Sequence, residues 1–145
     1  MNEILQKRSV LAPGTASDRD AAIREAGGLL REAGAVTAAY VESMLEREAS
    51  VSTYMGNLLA IPHGTNEAKG DILASALSFV RYDRPIDWGG NEVRFVVGIA
   101  GRGDEHLEIL SKIAMIFSDG DAVERLLALP DAAALHAELS RAVEP

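Results

Sequence analysis

The sequence predicts a mixed α/β fold of the α+β type, a single domain in which helices flank a mixed β-sheet. Apolar residues at helical spacing occupy both ends of the chain, and short apolar or alternating runs typical of strands lie between them. The 145 residues have the length of one domain and contain no internal repeat or low-complexity segment. We therefore expect one domain over residues 1–145.

The first third of the chain predicts two helices. A sequence that resembles a capping box begins at Ser17, and apolar residues at helical spacing follow until the helix is expected to end near Gly34. Thr37 can cap a second helix, whose apolar face continues to about Glu48.

The middle of the chain predicts strands. Three runs have the apolar or alternating character of strands, at residues 58–61, 73–82 and 92–100. Pro62 must end the first of them, because proline cannot donate to a ladder. Pro85 and the Gly89–Gly90 pair predict a turn between the other two, and Trp88 beside them is expected to pack rather than to act in chemistry.

The last third of the chain returns to helical spacing. Asp104 is the expected cap of a third helix that His106 opens and that the sequence SDGD at residues 118–121 ends. Two shorter helices are expected over residues 121–129 and 131–143, with a proline between them.

Composition and charge exclude several functional classes. The 22 acidic and 14 basic side chains leave a formal charge of −8 without a basic tract, so nucleic acid is not an expected partner. The absence of cysteine excludes disulfides, thiolate metal sites and a thiol nucleophile. The first ten residues lack the apolar segment of a signal peptide, and no apolar run approaches the roughly 20 residues that span a bilayer. We expect a cytoplasmic protein without direct membrane insertion.

The first candidate for chemistry is the histidine in the sequence LLAIPHGT. Because Pro62 ends the strand, His63 begins a loop; Gly64 can adopt a positive φ and admit a ligand, and Thr65 adds a hydroxyl and an N–H group. An ordinary loop histidine beside a tight turn explains the octapeptide equally well.

Two further residues could join His63. His106 ends the sequence AGRGDEH, which contains two glycines. N–H groups and a positive helix end could bind an anion there, although an ordinary strand-to-helix connection would have the same sequence features. Arg47 reads by spacing as a surface charge on its helix, and His136 as a solvated or boundary side chain. A nucleophilic imidazole, a second ring and an arginine would together suit phosphoryl transfer.

Other chemistries lack their motifs. The chain contains no nucleotide phosphate loop, dinucleotide fingerprint, HExxH sequence or nucleophile elbow. A histidine-based metal hydrolase stays open as an alternative, although no pair of histidines has local metal-ligand spacing.

The segments TYMGNLLAIPHGTNEAKG and VVGIAGRGDEHLEILSKIA resemble the IIA domains of the bacterial sugar phosphotransferase system (PTS). The resemblance extends through MLEREASVSTYMG and DAAIREAGGLL, and so covers essentially the whole chain. The stretch VRYDRPIDWGGNEVRFVVGIA and the lack of appended domains favour the mannitol branch over the fructose and nitrogen-regulatory branches. The family fold is a mixed sheet of about five strands flanked by helices.

The resemblance implies a phosphotransferase that acts as a histidine phosphocarrier. His63 would accept a phosphoryl group from the carrier protein HPr and pass it to a cysteine of a IIB domain or IIBC permease, for uptake of mannitol or a related sugar. His106 matches the second active-site histidine and Arg47 the active-site arginine, while Asn57 and Thr65 match supporting positions. Neither a nucleotide cofactor nor a metal is implied.

The nitrogen-regulatory relatives suggest an alternative function. In that case the phosphorylation state of the protein would govern its binding to regulatory partners.

Overall fold

A computed structural model describes residues 4–143 of the protein. The strands within that range are β1 (Val10–Leu11), β2 (Tyr54–Gly56), β3 (Leu59–Ala60), β4 (Ala76–Trp88) and β5 (Asn91–Ala100). The α-helices are α1 (Arg19–Glu32), α2 (Ala38–Ser50), α3 (Glu105–Phe117), α4 (Gly120–Ala128) and α5 (Ala132–Val143). Short 3-10 helices occupy Lys7–Ser9 and Asn66–Asp71.

The strands form one mixed sheet of five strands in the order β1-β4-β5-β3-β2. An antiparallel hairpin of β4 and β5 forms its centre. Its pairing begins with Ala76 opposite Ala100 and ends with Trp88 opposite Asn91. The pairings β1–β4 and β3–β5 are parallel, whereas β2–β3 is antiparallel. This sheet and its flanking helices confirm the predicted fold class.

Both faces of the sheet are buried, and neighbouring residues of one strand point to opposite sides. Phe79 and Phe95 belong to the apolar cluster that includes residues of α3, α4 and α5, while Val80 and Val96 belong to the cluster that includes residues of α1 and α2. Because each strand packs on both faces, β5 reads as an almost continuous apolar run rather than an alternating one.

The helix starts differ in detail from the prediction. Asp18, not Ser17, is the N-cap of α1, because its carboxylate accepts a hydrogen bond of 2.8 Å from the N–H of Ala21. Thr37 stands at the N-cap of α2 as predicted, but its hydroxyl donates to Asp71 instead. Asp104 occupies the N-cap position of α3 and makes no capping bond with its side chain.

The predicted turn at Pro85 is wrong, because β4 continues through this residue to Trp88. The pairing of β4 with β5 is irregular between Arg81 and Ile86, and an irregular stretch tolerates a residue without an N–H group. The turn is formed by Gly89 and Gly90, whose φ angles are 63° and 93°. Strands β1 and β2, which were not predicted, contain two and three residues, too few for a periodicity to appear.

Candidate functional site

Two histidines lie close together at the edge of the sheet where strands β3 and β5 end. Strand β3 runs parallel to β5, so the segments that follow the two strands leave the sheet at the same edge. His63 lies just beyond β3 and forms an isolated parallel bridge with Ile99, and His106 lies in the first turn of α3, which follows β5. The ring centroids of His63 and His106 are 5.4 Å apart, with the ring planes tilted by 59°.

The two rings share a cleft of about 560 Å³. Besides the histidines, the side chains that line it include Tyr40, Arg47, Thr65, Lys69 and Leu107. The structure thus brings four of the five predicted site residues together, and adds a tyrosine and a lysine that the sequence did not single out.

One hydrogen bond determines the tautomer of His63. Its Nδ1 lies 2.9 Å from the carbonyl oxygen of Ile61. Since a carbonyl oxygen only accepts, Nδ1 carries the proton, and the lone pair of the neutral ring is on Nε2. Burial lowers the pKa of His63, and the positive charge of Arg47 lowers it further. The ring is therefore neutral near pH 7, with a nucleophilic Nε2.

The loop that carries His63 is held at both sides of this residue. The carbonyl of Pro62 accepts a hydrogen bond of 3.1 Å from the N–H of Ile99, and the N–H of Gly64 donates to the Tyr40 hydroxyl over 2.9 Å. Gly64 does not use the positive φ that glycine allows. Glycine is needed there because a Cβ atom would lie 2.5 Å from both the Tyr40 ring and the Ser43 hydroxyl of α2.

Glycines also allow His106 to approach the end of β5. A Cβ atom on Gly101 would lie 2.5 Å from the Cα of His106, and Gly103 has a φ of 56°. Burial lowers the pKa of His106, and repulsion from His63 when that ring is protonated and from the positive charge of Lys69 lowers it further. This ring is also neutral near pH 7, so one of its nitrogens can donate a hydrogen bond.

Arg47 lies in the last turn of α2 at the wall of the cleft. Its Nη1 donates a hydrogen bond of 2.5 Å to the carbonyl of Val51, just beyond the helix. The neighbouring Glu48 is buried and accepts hydrogen bonds from Thr53 and from Nε1 of Trp88, which ties the end of α2 to the sheet. The guanidinium is thus held beside the histidines by a helix end that is itself anchored.

The remaining predicted residues lie elsewhere or play other parts. Asn57 does not line the cleft; it forms the tight turn between β2 and β3, and its amide donates a hydrogen bond of 2.6 Å to the carbonyl of Phe117. His136 is partly buried, and its Nε2 lies 2.9 Å from the carbonyl of Leu5. Lys69 belongs to the quoted NEAKG sequence, but no spacing rule places a residue of a 3-10 helix in a cleft.

No helix among residues 4–143 is long and apolar enough to cross a membrane.

A neutral imidazole beside a second histidine, an arginine and a lysine is an arrangement suited to carrying a phosphoryl group. Fold and cleft together define a class of small α/β phosphocarriers. The family model described as "Phosphoenolpyruvate-dependent sugar phosphotransferase system, EIIA 2" matches residues 3–142, and the chain belongs to this family.

Individual relatives agree with the family match. The mannitol-specific phosphotransferase enzyme IIA component of Halalkalibacterium halodurans is 52% identical over 129 residues, which cover 89% of each chain. The crystal structure of IIA mannitol from Escherichia coli superimposes with a TM-score of 0.84 at 32% identity, covering 93% of this chain and 97% of that one. The IIA chain in a complex of enzyme IIAMTL and phosphorylated enzyme IIBMTL from the same organism gives a TM-score of 0.83 at 31% identity, covering 96% and 94%.

Proposed function

We propose that this protein is the IIA component of a mannitol phosphotransferase system, acting in the cytoplasm with residues 1–145 as one unit. His63 accepts a phosphoryl group from HPr and passes it to a cysteine of a IIB domain. The mannitol-specific name of the relative that is 52% identical supports the sugar, and the E. coli complex with phosphorylated IIB supports the acceptor.

The observation that carries the proposal is the hydrogen bond from Nδ1 of His63 to the carbonyl of Ile61. It leaves the Nε2 lone pair free to attack the phosphorus of phosphohistidine on HPr. As the new N–P bond forms, the N–P bond of the donor breaks and its electron pair returns to the donor imidazole. In the second transfer a cysteine thiolate attacks the same phosphorus, an S–P bond forms, and His63 regains its lone pair.

The cleft supplies groups for the charge of the transferred phosphoryl oxygens. His106 can donate a ring N–H, and the guanidinium of Arg47 can hold two oxygens at once. Thr65 and Lys69 line the same space and add a hydroxyl and a second cation.

Neither alternative is favoured. The regulatory function has no support in the relative with 52% identity, which is named for mannitol. For the metal hydrolase, residues 4–143 contain no group of three or more histidine, cysteine, aspartate or glutamate side chains that could hold a metal ion.

The test is intact-mass spectrometry under non-acidic conditions after incubation with enzyme I, HPr and phosphoenolpyruvate. Wild type should gain one phosphoryl group, and His63→Ala should gain none because it lacks the nucleophile. His106→Ala should still be phosphorylated, with a rate lower by about 10²–10³, since it loses a donor and keeps the acceptor.

His136→Ala is the matched control, because it removes a histidine outside the cleft and should be phosphorylated at the wild-type rate. Uptake by His63→Ala at that rate would contradict the proposed acceptor. Failure of phosphorylated wild type to phosphorylate a mannitol IIB domain would contradict the proposed sugar branch.

A further inference from the structure

A buried tyrosine on α2 joins the two segments that carry the histidines. Tyr40 is only 2% exposed. Its hydroxyl lies 2.8 Å from the carbonyl oxygen of Ile99 on β5 and 2.9 Å from the N–H of Gly64, the residue after His63. One oxygen atom therefore contacts both the loop of His63 and the strand that leads to His106.

The direction of both hydrogen bonds is determined by the partners. The carbonyl of Ile99 can only accept, so the phenolic proton points toward it, and the N–H of Gly64 can only donate to the phenolic oxygen. Burial raises the pKa of Tyr40, so the phenol keeps this proton at neutral pH. Only one orientation of the hydroxyl proton satisfies both partners.

Close packing also restricts the same region. Gly64 fits against the Tyr40 ring and the Ser43 hydroxyl only because it lacks a Cβ atom. Ser43 in turn donates a hydrogen bond of 2.6 Å to the carbonyl of Tyr40. On the strand side, Ile99 lies two residues before Gly101, where a Cβ atom would lie 2.5 Å from the Cα of His106. A shift of Tyr40 would therefore displace the rings of both His63 and His106.

We propose that Tyr40 is a positioning residue for phosphoryl transfer, whose hydroxyl sets the placement of His63 relative to His106. The inference rests on the proposed function, because it assigns to Tyr40 a part in the same reaction. Tyr40 does not handle the phosphoryl group; it acts through the loop and the strand that it joins. Misplacement of a reacting group by about 1 Å can lower a rate about 100-fold.

The test compares Tyr40→Phe with Tyr82→Phe. Both residues are 2% exposed, and the Tyr82 hydroxyl donates a hydrogen bond of 2.6 Å to Glu25, away from the cleft. Each variant keeps the ring and loses one buried hydroxyl, so both are expected to lower the thermal midpoint. Quenched-flow transfer from phosphorylated HPr is measured for both at a temperature at which each is folded.

Tyr40→Phe should lower the rate at saturating HPr by about 10- to 100-fold, with the half-saturating HPr concentration unchanged within about twofold. Tyr82→Phe should keep the wild-type rate, since a purely structural loss does not touch the cleft. Equal saturating rates for the two variants would overturn the proposal. Lack of phosphorylation of wild type would instead overturn the proposed function, so the two failures are distinguishable.

A measurement on the wild-type protein keeps the proposal testable if Tyr40→Phe does not fold. Hydrogen exchange monitored by NMR should show the Gly64 amide protected, like the Ile99 amide that bonds to Pro62. Rapid exchange of the Gly64 amide alone would show that the bridge is not maintained in solution, and would overturn the proposal.

Discussion

At the scale of single residues, the choice between the two nitrogens of His63 is made by a backbone group. The carbonyl of Ile61 belongs to the same strand end as the histidine, two residues earlier in the chain. It accepts a hydrogen bond from the N–H group at Nδ1, which orients the ring and leaves the lone pair on Nε2. A backbone carbonyl at a strand end thus leaves Nε2 as the ring atom that could attack phosphorus in the proposed transfer.

The role of Arg47 can be tested by separating its charge from its shape. In a chain with a formal charge of −8, a local cation must offset repulsion of a phosphorylated partner. Arg47→Lys keeps the charge and loses the planar fork, so docking should persist while transfer slows about tenfold or more. Arg47→Ala should slow transfer by about 10²–10³ and also weaken docking. Stopped-flow transfer from phosphorylated HPr measures both effects.

Arg24→Lys is the control for this series, because Arg24 is an exposed residue paired with Glu42. It should transfer at the wild-type rate, and circular dichroism should show every variant folded. Equal rates for the Lys, Ala and wild-type forms at position 47 would mean that Arg47 is only a surface charge.

Some site residues could be predicted from the sequence and others could not. The proline after the LLAI run and the glycines before His106 mark strand ends, and these marks are local. Tyr40 reads as one more apolar residue of α2, because its hydroxyl partners lie 24 and 59 residues away. Asn57 is close to His63 in sequence, but the turn directs its amide to the end of α3.

At the scale of elements, helical periodicity predicts the long helices, while a partly alternating run and a nearly continuous apolar run predict the two central strands. Such patterns could not identify β1 and β2, which are defined by pairing with distant residues rather than by their own pattern. The short strand β3 is predicted by the apolar run at residues 58–61, and Pro62 predicts where it ends. Its parallel pairing with β5, which brings the histidines together, depends on a contact that no local pattern encodes.

A buried arginine on β4 holds the end of α4. Nη1 of Arg81 donates hydrogen bonds of 2.9 Å and 2.6 Å to the carbonyls of Leu126 and Leu129, which helix geometry leaves without partners. Arg81→Leu should lower the free energy of unfolding by about 2–3 kcal/mol, because hydrogen bonds to a charged group are lost and carbonyls are left unpaired. Urea unfolding measures this loss.

Arg84 on the same strand is exposed and serves as the control. Arg84→Leu should change the free energy of unfolding by less than about 0.5 kcal/mol. Phosphorylation by HPr should be unchanged in both variants at a temperature at which both are folded. A loss for Arg81→Leu no larger than that for Arg84→Leu would contradict the capping role.

At the scale of the whole molecule, the helices on each of the two buried faces of the sheet contribute residues to the cleft. The helices α1 and α2 cover one face, and α2 also supplies Tyr40 and Arg47 to the cleft. The helices α3, α4 and α5 cover the other face, and α3 supplies His106. The cleft lies where the two layers meet the edge of the sheet, so its residues come from distant parts of the chain.

This arrangement predicts how stability depends on pH. Folding lowers the pKa of both His63 and His106, mainly through burial. The unfolded chain, in which a histidine has a pKa of about 6.5, therefore binds more protons than the folded protein once the pH falls toward that value. Stability contributed by the two neutral rings is present above about pH 6.5 and is lost as the pH falls below it.

Urea unfolding at pH 7.5 and pH 5.5 should show this loss in wild type. The double variant His63→Gln/His106→Gln keeps every carboxylate and lacks the two rings, so its stability should fall less between the same pH values. Equal losses in the two proteins would mean that carboxylates or other groups, and not the histidines of the cleft, cause the pH dependence.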